Sequence, residues 1–300
     1  MNTQIIRKYS ELDAATNGWR VNRESIAIVP TMGALHEGHL SLVRMAKYYA
    51  NRVIVTIFVN PKQFNQESDL EHYPRSEAAD IQVLAPLSVD AVYIPDIEEI
   101  YPPGFATTIS VSGVSDGLCG SFRDGHFDGV ATVVAKLFSQ TRADIAVFGE
   151  KDFQQFHVVK RMVNDLSMPT IIKSAPTVRE PDGLAMSSRN TILSPDQRKI
   201  APEFYRCLHA AAKRLEDGNS VDTTIERAKR EIVDAGFSSV EYVELRTDRD
   251  LRPIRKTGQP SRLLAAVWLG EVRLIDNIAV AANKVTAPNG SKKLTSRELA

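Results

Sequence analysis

His36 and His39 stand three residues apart in the run Pro30-Thr31-Met32-Gly33-Ala34-Leu35-His36-Glu37-Gly38-His39. An imidazole N–H can donate a hydrogen bond to a phosphate oxygen. Gly33 and Gly38 let backbone or ligand approach closely. The order is His-Glu-Gly-His, so this is not the His-Glu-x-x-His zinc helix. Three readings are open at this point: a phosphate cradle of the His-x-Gly-His type, a metal pair, and two loop histidines without chemistry. No third metal ligand stands at a supporting spacing, and the flanking sequence favours the cradle.

A second polar cluster, Gly149-Glu150-Lys151-Asp152-Phe153-Gln154-Gln155, repeats this logic. Lys151 brings a point charge suited to phosphate. Asp152 fits a helix cap or an acceptor for ribose hydroxyls. Gln155 lies one helical turn beyond Lys151. In Asn60-Pro61-Lys62-Gln63 the neutral amides can bind hydroxyls or a carboxylate without adding charge. In Met186-Ser187-Ser188-Arg189-Asn190, two hydroxyls and a guanidinium suit a polyphosphate. Asp80 reads as a holder of Mg²⁺ through waters or, more commonly, as part of a solvated acidic face. Arg123 and His126 either face this site or lie exposed.

Elements must hold these clusters in place. Ile26 to Val29 is an apolar run of the kind that forms a strand buried on both faces. Leu40, Val43, Ala46 and Ala50 follow at helical spacing, and Val53 to Val59 reads as a second strand. The histidines thus lie between a strand's carboxyl end and a helix start. Open α/β sheets form their ligand crevice there, and N–H groups at a helix start attract anions. Ile145 to Phe148 is the corresponding strand for Lys151. Further strands are expected at Ala91–Ile94 and about Ile171–Val178. Helices are expected at Glu11–Gly18, from Ser76 to about Leu84, and at Val130–Phe138. Residues 101–126, rich in Gly, Pro and Ser, read as a long loop or irregular β segment. Ser194-Pro195-Asp196-Gln197 is a helix start with cap, proline and closing glutamine. Two charged helices over 195–236 and strands near 240–246, 263–269 and 272–275 then imply a smaller α+β domain. The boundary is placed at residue 178, giving domains of 1–178 and 179–283, with 284–300 a flexible tail.

The chain has 300 residues, enough for two domains. Its 37 basic and 37 acidic side chains cancel, which argues against a broad nucleic-acid footprint. No apolar run approaches the ~20 residues of a membrane helix. Met1 to Arg7 is too polar for a secretory signal. Cys119 and Cys207 suggest no disulfide framework and fit a reducing cytoplasm. A cytoplasmic protein without nucleic-acid or membrane partners is the expectation.

Taken together, the runs at 30–39, Phe58-Val59-Asn60-Pro61-Lys62-Gln63-Phe64, Phe148 to Gln155, Met186 to Asn190 and Trp268-Leu269-Gly270-Glu271-Val272-Arg273-Leu274-Ile275-Asp276-Asn277 carry a resemblance. The chain resembles the pantothenate synthetase (pantoate–β-alanine ligase) family of the His-x-Gly-His nucleotidyl-transfer superfamily, over nearly all of its length. Two positions depart from the family pattern. Asp124 stands where a proline often follows the arginine, and Ala79 precedes Asp80 where acidic residues are often paired.

The resemblance implies an α/β fold, a Rossmann-like doubly wound parallel sheet with a smaller C-terminal α+β lid, usually in a homodimer. It implies that ATP, with Mg²⁺, activates (R)-pantoate to a pantoyl adenylate, and that β-alanine then displaces AMP to give pantothenate. By family position Met32, Gly33, Ala34, Leu35, His36, Glu37, Gly38 and His39 contact ATP, and His39 is the residue named proton donor. Gly149, Glu150, Lys151, Asp152, Val178, Met186, Ser187, Ser188 and Arg189 complete the ATP contacts. Gln63 and Gln155 bind pantoate, and Gln63 also β-alanine. Catalysis then falls to His36, His39 and Lys151, with His36, His39, Lys151, Arg189 and the helix N-termini expected to supply positive charge and donors. The metal ligands stay unassigned. Two rivals share the phosphate loops: another nucleotidyltransferase of the superfamily, and a nucleotide-binding module without turnover.

Overall fold

The computed structural model describes residues 3–65, 67–71 and 73–282; the expected tail at 284–300 lies outside them. Six strands form one parallel sheet: β1 (Gln4–Ile6), β2 (Ile26–Thr31), β3 (Arg52–Ile57), β4 (Ala91–Tyr93), β5 (Ile145–Gly149) and β6 (Ile171–Ala175). Their order is β1-β4-β3-β2-β5-β6. The helices in chain order are α1 (Tyr9–Val21), α2 (Glu37–Tyr49), α3 (Glu67–Glu71), α4 (Glu77–Leu84), α5 (Ile97–Ile100), α6 (His126–Thr141), α7 (Phe153–Asp165), α8 (Pro195–Ile200), α9 (Pro202–Glu216) and α10 (Val221–Asp234).

Apolar side chains alternate between the two faces of the sheet. Ile26 and Ile28 of β2 join the cluster under α1, α6 and α7. Ala27 and Val29 join Leu42, Val43 and Ala46 of α2 on the other face. Both faces are therefore dry, as a parallel sheet requires. The chain builds outward from β2 through β3 and β4, then returns to lay β5 on the opposite side of β2. That reversal is the switch point where ligands bind in open sheets. Strands β2 and β5 pair only at Ala27 and Ile28, although they continue to Thr31 and Gly149. Their carboxyl ends part, and the crevice opens between them.

Several elements differ from the sequence expectation: α3 and α5 are additional, three helices rather than two span 195–234, β6 stops at Ala175 and β9 runs on to Val280. Helix α6 begins at His126 rather than Val130, because Gly125 takes a left-handed φ of +71° just before it. Strand β1 has no counterpart in the sequence reading; it is a three-residue edge strand in which only Ile6 is buried, too short to leave a period.

The second half contributes an antiparallel sheet, β7 (Ser239–Thr247), β8 (Ser261–Leu269) and β9 (Val272–Val280), in that order. Val243, Leu245, Leu263 and Ala265 pack with Phe204, Leu208 and Ile232 of α9 and α10. Tyr242, Leu264 and Ala266 join the first core instead. The small sheet is thus covered on both sides. Asn277 of β9 ties it to the Lys151 loop by donating to the carbonyls of Glu150 (2.9 Å) and Lys151 (3.0 Å). Among the described residues no helix is long and apolar enough to cross a membrane.

Candidate active site

The loop after β2 turns through two left-handed residues, Gly33 at φ +83° and Ala34 at φ +49°. This aims consecutive N–H groups at one carboxylate. Ala34 donates to Asp80 Oδ2 at 3.0 Å and Leu35 to Oδ1 at 2.7 Å. Asp80, on α4, is 3% exposed. Burial raises its pKa, and the two N–H bonds oppose that rise. A Cβ on Gly33 would stand 2.8 Å from the same carboxylate. Asp80 is therefore not part of a solvated acidic face, and both its oxygens are committed to backbone. It anchors the loop.

His36 caps α2. Its Nδ1 accepts from the Gly38 N–H at 3.1 Å, and His39 Nδ1 accepts from the His36 N–H at 3.3 Å. A neutral imidazole accepting at Nδ1 carries its proton on Nε2. The ring centres lie 4.2 Å apart, and each ring keeps an Nε2–H donor. Burial lowers the pKa of His36 to about 4, with Lys151 adding to it. Burial, then the neighbouring His36, lowers that of His39 to about 3. Of the positive charge and donors expected here, these histidines supply donors only: their rings are neutral, and the charge falls to Lys151 and Arg189.

Gln63 follows β3 in a short turn beside α6 and is buried. Its Oε1 accepts from Asn60 Nδ2 at 3.1 Å, which also donates to the Gly129 carbonyl at 3.0 Å. Asn60 is in turn fixed by the Tyr101 hydroxyl at 2.8 Å. The carboxamide of Gln63 is thus oriented, and its NH₂ has no partner among the described residues. Behind it, Arg123 donates to the Gln63 carbonyl at 3.3 Å and to His126 Nε2 at 3.2 Å, while His126 Nδ1–H donates to the Gln63 carbonyl at 2.8 Å. The open question about Arg123 and His126 resolves toward the site: both support Gln63. Burial lowers the His126 pKa to about 3, with Arg123 adding to it.

A cavity of about 210 Å³ lies over this turn, lined by Met32, His36, Gly38, His39, Gln63, Gln155 and Val178. Val130, Val133 and Val134 of α6 form an apolar wall. A larger cavity of about 960 Å³ continues toward β8 and β9. The two share Arg123, His126, Lys151, Asp152, Gln155, Ser187 and Arg189. Gln154, beside Gln155, lines only the larger cavity, and its carboxamide is taken up by bonds to Val114, Gly117 and Cys119 of the 101–125 loop.

The Met186–Arg189 segment crosses to the first loop, with Ser188 Oγ donating to the Ala34 carbonyl at 3.2 Å. Ser188 also lines the smaller cavity, and Met186 is held by an N–H bond to the Val178 carbonyl at 3.0 Å. Five expected contact residues line neither cavity: Gly33, Ala34, Leu35, Glu37 and Glu150. Glu37 is exposed and pairs with Arg44. Glu150 accepts from Ser174 at 3.0 Å and faces Arg262 at 3.5 Å. Two residues were not singled out from sequence. Asp69 of α3 accepts from Arg189 Nη2 at 2.9 and 3.2 Å, and Tyr73 is buried with the Arg189 guanidinium 5.9 Å from its ring centre. Both lie in a polar stretch that carries no period and reads as surface.

A family model described as Pantoate-beta-alanine ligase matches residues 4–279. The pantothenate synthetase of Chelativorans sp. (strain BNC1) is 57% identical over 94% of this chain and 99% of its own length. That of Roseobacter denitrificans is 54% identical over 93% and 99%. Among solved structures, pantothenate synthetase from Thermus thermophilus superposes with a TM-score of 0.87 at 41% identity, covering 93% of this chain and 99% of its own. Pantoate-beta-alanine ligase from Francisella tularensis, complexed with beta-gamma ATP and beta-alanine, gives a TM-score of 0.79 at 35% identity, covering 92% and 97%.

Proposed function

The chain belongs to the pantoate–β-alanine ligase family and catalyses the ATP-dependent condensation of pantoate with β-alanine, and we propose the following roles for its residues. The observation that carries them is the placing of uncharged amides and an apolar wall beside neutral N–H donors and two cations. Pantoate has a carboxylate, two hydroxyls and two methyl groups on one carbon. The Gln63 and Gln155 carboxamides bind its polar groups, and Val130 and Val134 take the methyls. Neither amide adds a charge that would compete for ATP.

The triphosphate meets the Nε2–H groups of His36 and His39, the Lys151 ammonium and Arg189. In the first step a pantoate carboxylate oxygen attacks the α-phosphorus and pyrophosphate leaves. Negative charge grows on the phosphate oxygens, and donors already in place stabilise it most. His39 acts there as a hydrogen-bond donor, since a ring with so low a pKa holds no surplus proton. In the second step the amine attacks the acyl carbon and AMP leaves; Gln63 also serves this substrate. Gly149 to Asp152, Val178 and Met186 to Arg189 complete the nucleotide contacts. Mg²⁺ bound with ATP would neutralise phosphate charge. Of the carboxylates considered, Asp152 has no ion-pair partner among the described residues and fits that ion, whereas Asp80 is committed to backbone.

We further propose that residues 179–283 form a lid that closes over the nucleotide and keeps water from the adenylate. A cytoplasmic homodimer is the proposed working state. The adenylate route is tested by ATP–pyrophosphate exchange, expected with pantoate present and β-alanine absent. Oxygen label placed in pantoate's carboxylate is expected to reach AMP once β-alanine is added. Unlabelled AMP, or exchange that ignores pantoate, overturns the two-step route.

A further inference from the structure

The three histidines lining the smaller cavity offer no free lone pair. His36 and His39 spend Nδ1 on backbone N–H groups, and His126 Nε2 accepts from Arg123 while its Nδ1–H faces the Gln63 carbonyl. The amine substrate arrives as an ammonium, which can only donate. Its partner must be an acceptor, and a carboxylate is the strongest one available. Around the larger cavity, Glu241 is paired with Arg273 and Asp276 with Arg179. Glu271 sits in the β8–β9 turn, and Asp152 is the carboxylate assigned above to Mg²⁺.

Asp69 remains. Its side chain is 35% exposed, and its ion-pair partners among the described residues are two guanidiniums, Arg189 at 2.9 Å and Arg123 at 4.0 Å. Both arginines also line the smaller cavity, where Arg123 backs Gln63. Arg189 ends the Met-Ser-Ser-Arg run that suits a polyphosphate, so the carboxylate and the incoming phosphates compete for one guanidinium.

We propose that Asp69 binds the ammonium of β-alanine, and that ATP frees it to do so by drawing Arg189 away. This rests on the two-step route above. Without ATP the carboxylate is neutralised by Arg189 and has little to offer a cation. With Arg189 on phosphate, the Asp69 oxygens it had held are released as acceptors beside the turn that holds pantoate, and the amine binds after activation rather than before it. In the step that follows, the ammonium first gives one proton to solvent, and the lone pair so freed bonds nitrogen to the acyl carbon. The carbon–oxygen bond to AMP breaks, with its electron pair going to AMP. The second proton that the amide does not keep also leaves to solvent through the open side of the cavity.

Hydroxylamine supplies the test, because it is largely uncharged at neutral pH and captures acyl adenylates as hydroxamates. In Asp69→Asn the ratio of β-alanine turnover to hydroxamate formation is expected to fall about tenfold or more, as for a lost charge-assisted hydrogen bond. Asp69→Glu is expected to recover part of that ratio. ATP should bind the Asn variant more tightly, since Arg189 has lost its competitor. An unchanged ratio, or a proportional loss with both nucleophiles, overturns the proposal and leaves Asp69 a strut for Arg189. Failure of the unsubstituted enzyme to form any hydroxamate from ATP and pantoate strikes the adenylate route instead.

Discussion

At the scale of single residues, the histidines act by hydrogen bonding. His39→Ala is expected to slow adenylate formation by about 10²–10⁴-fold, the range for a lost acid–base or charge-stabilising group. An unchanged pyrophosphate-exchange rate in a folded variant would remove His39 from the chemistry. The low pKa values of His36, about 4, and His39, about 3, also fix the acid limb. Protonating either ring ends its neutral donor–acceptor pairing, so activity should be lost on the acid side only as pH falls toward 4. The pH profile of kcat/KM for pantoate reads the free enzyme. A limb at the ordinary imidazole value of 6.5 contradicts this assignment of His36 and His39. Gln63→Ala should weaken pantoate binding more than ATP binding, and calorimetry showing the reverse order rejects the amide's role.

At the scale of elements, the site depends on close approaches between segments distant in sequence. Helix α6 meets the Asn60–Gln63 turn at Gly129, where a Cβ would fall 2.4 Å from the Lys62 carbonyl oxygen and 2.7 Å from the Gln63 nitrogen. Both contacts are backbone and cannot swing aside. Gly129→Ala is expected to cost about 1–3 kcal/mol, as overpacking does, and to raise KM for pantoate by shifting the turn. Urea denaturation and steady-state kinetics measure the two effects; a stable variant with unchanged KM overturns the prediction. The first loop depends likewise on α4. In Asp80→Asn one carboxylate oxygen becomes an NH₂ that cannot accept from both Ala34 and Leu35. One buried N–H is left unpaired at a cost of about 1–3 kcal/mol, and KM for ATP should rise while the fold survives.

At the scale of the whole molecule, several buried imidazoles couple stability to pH. Burial depresses His36 and His157 to about 4 and His39 and His126 to about 3. His157 Nε2 has no hydrogen-bond partner among the described residues. Each ring is neutral in the folded protein where the unfolded chain, at 6.5, already binds a proton. The stability they contribute is complete above pH 6.5 and is lost as pH falls toward 4 and then 3. Each contributes a slope of about 1.4 kcal/mol per pH unit inside that window. Asp80 and Asp276, whose pKa values burial raises, act in the opposite sense. The ligand-free protein should therefore become easier to unfold in urea between pH 7 and 5, and a midpoint that holds or rises contradicts this.

The sequence by itself determined the β2–α2–β3 unit, the return strand β5 and the presence of the three later strands, because apolar period and turn chemistry are local. It also marked the residues that converge on the cavities, since His36, His39, Gln63, Lys151, Gln155 and Arg189 each follow a strand end or a turn. Only the tertiary structure decided what those residues are. His39 is a neutral donor because of what buries it. Asp80 is a loop anchor because α4 brings it to N–H groups 45 and 46 residues earlier. Asp69 and Arg189 meet across 120 residues, and Ser188 and Ala34 across 154. A sequence period reports which face of an element is buried; it carries no record of which distant element covers that face, and the charge and hydrogen-bond state of a buried polar group depend on that cover.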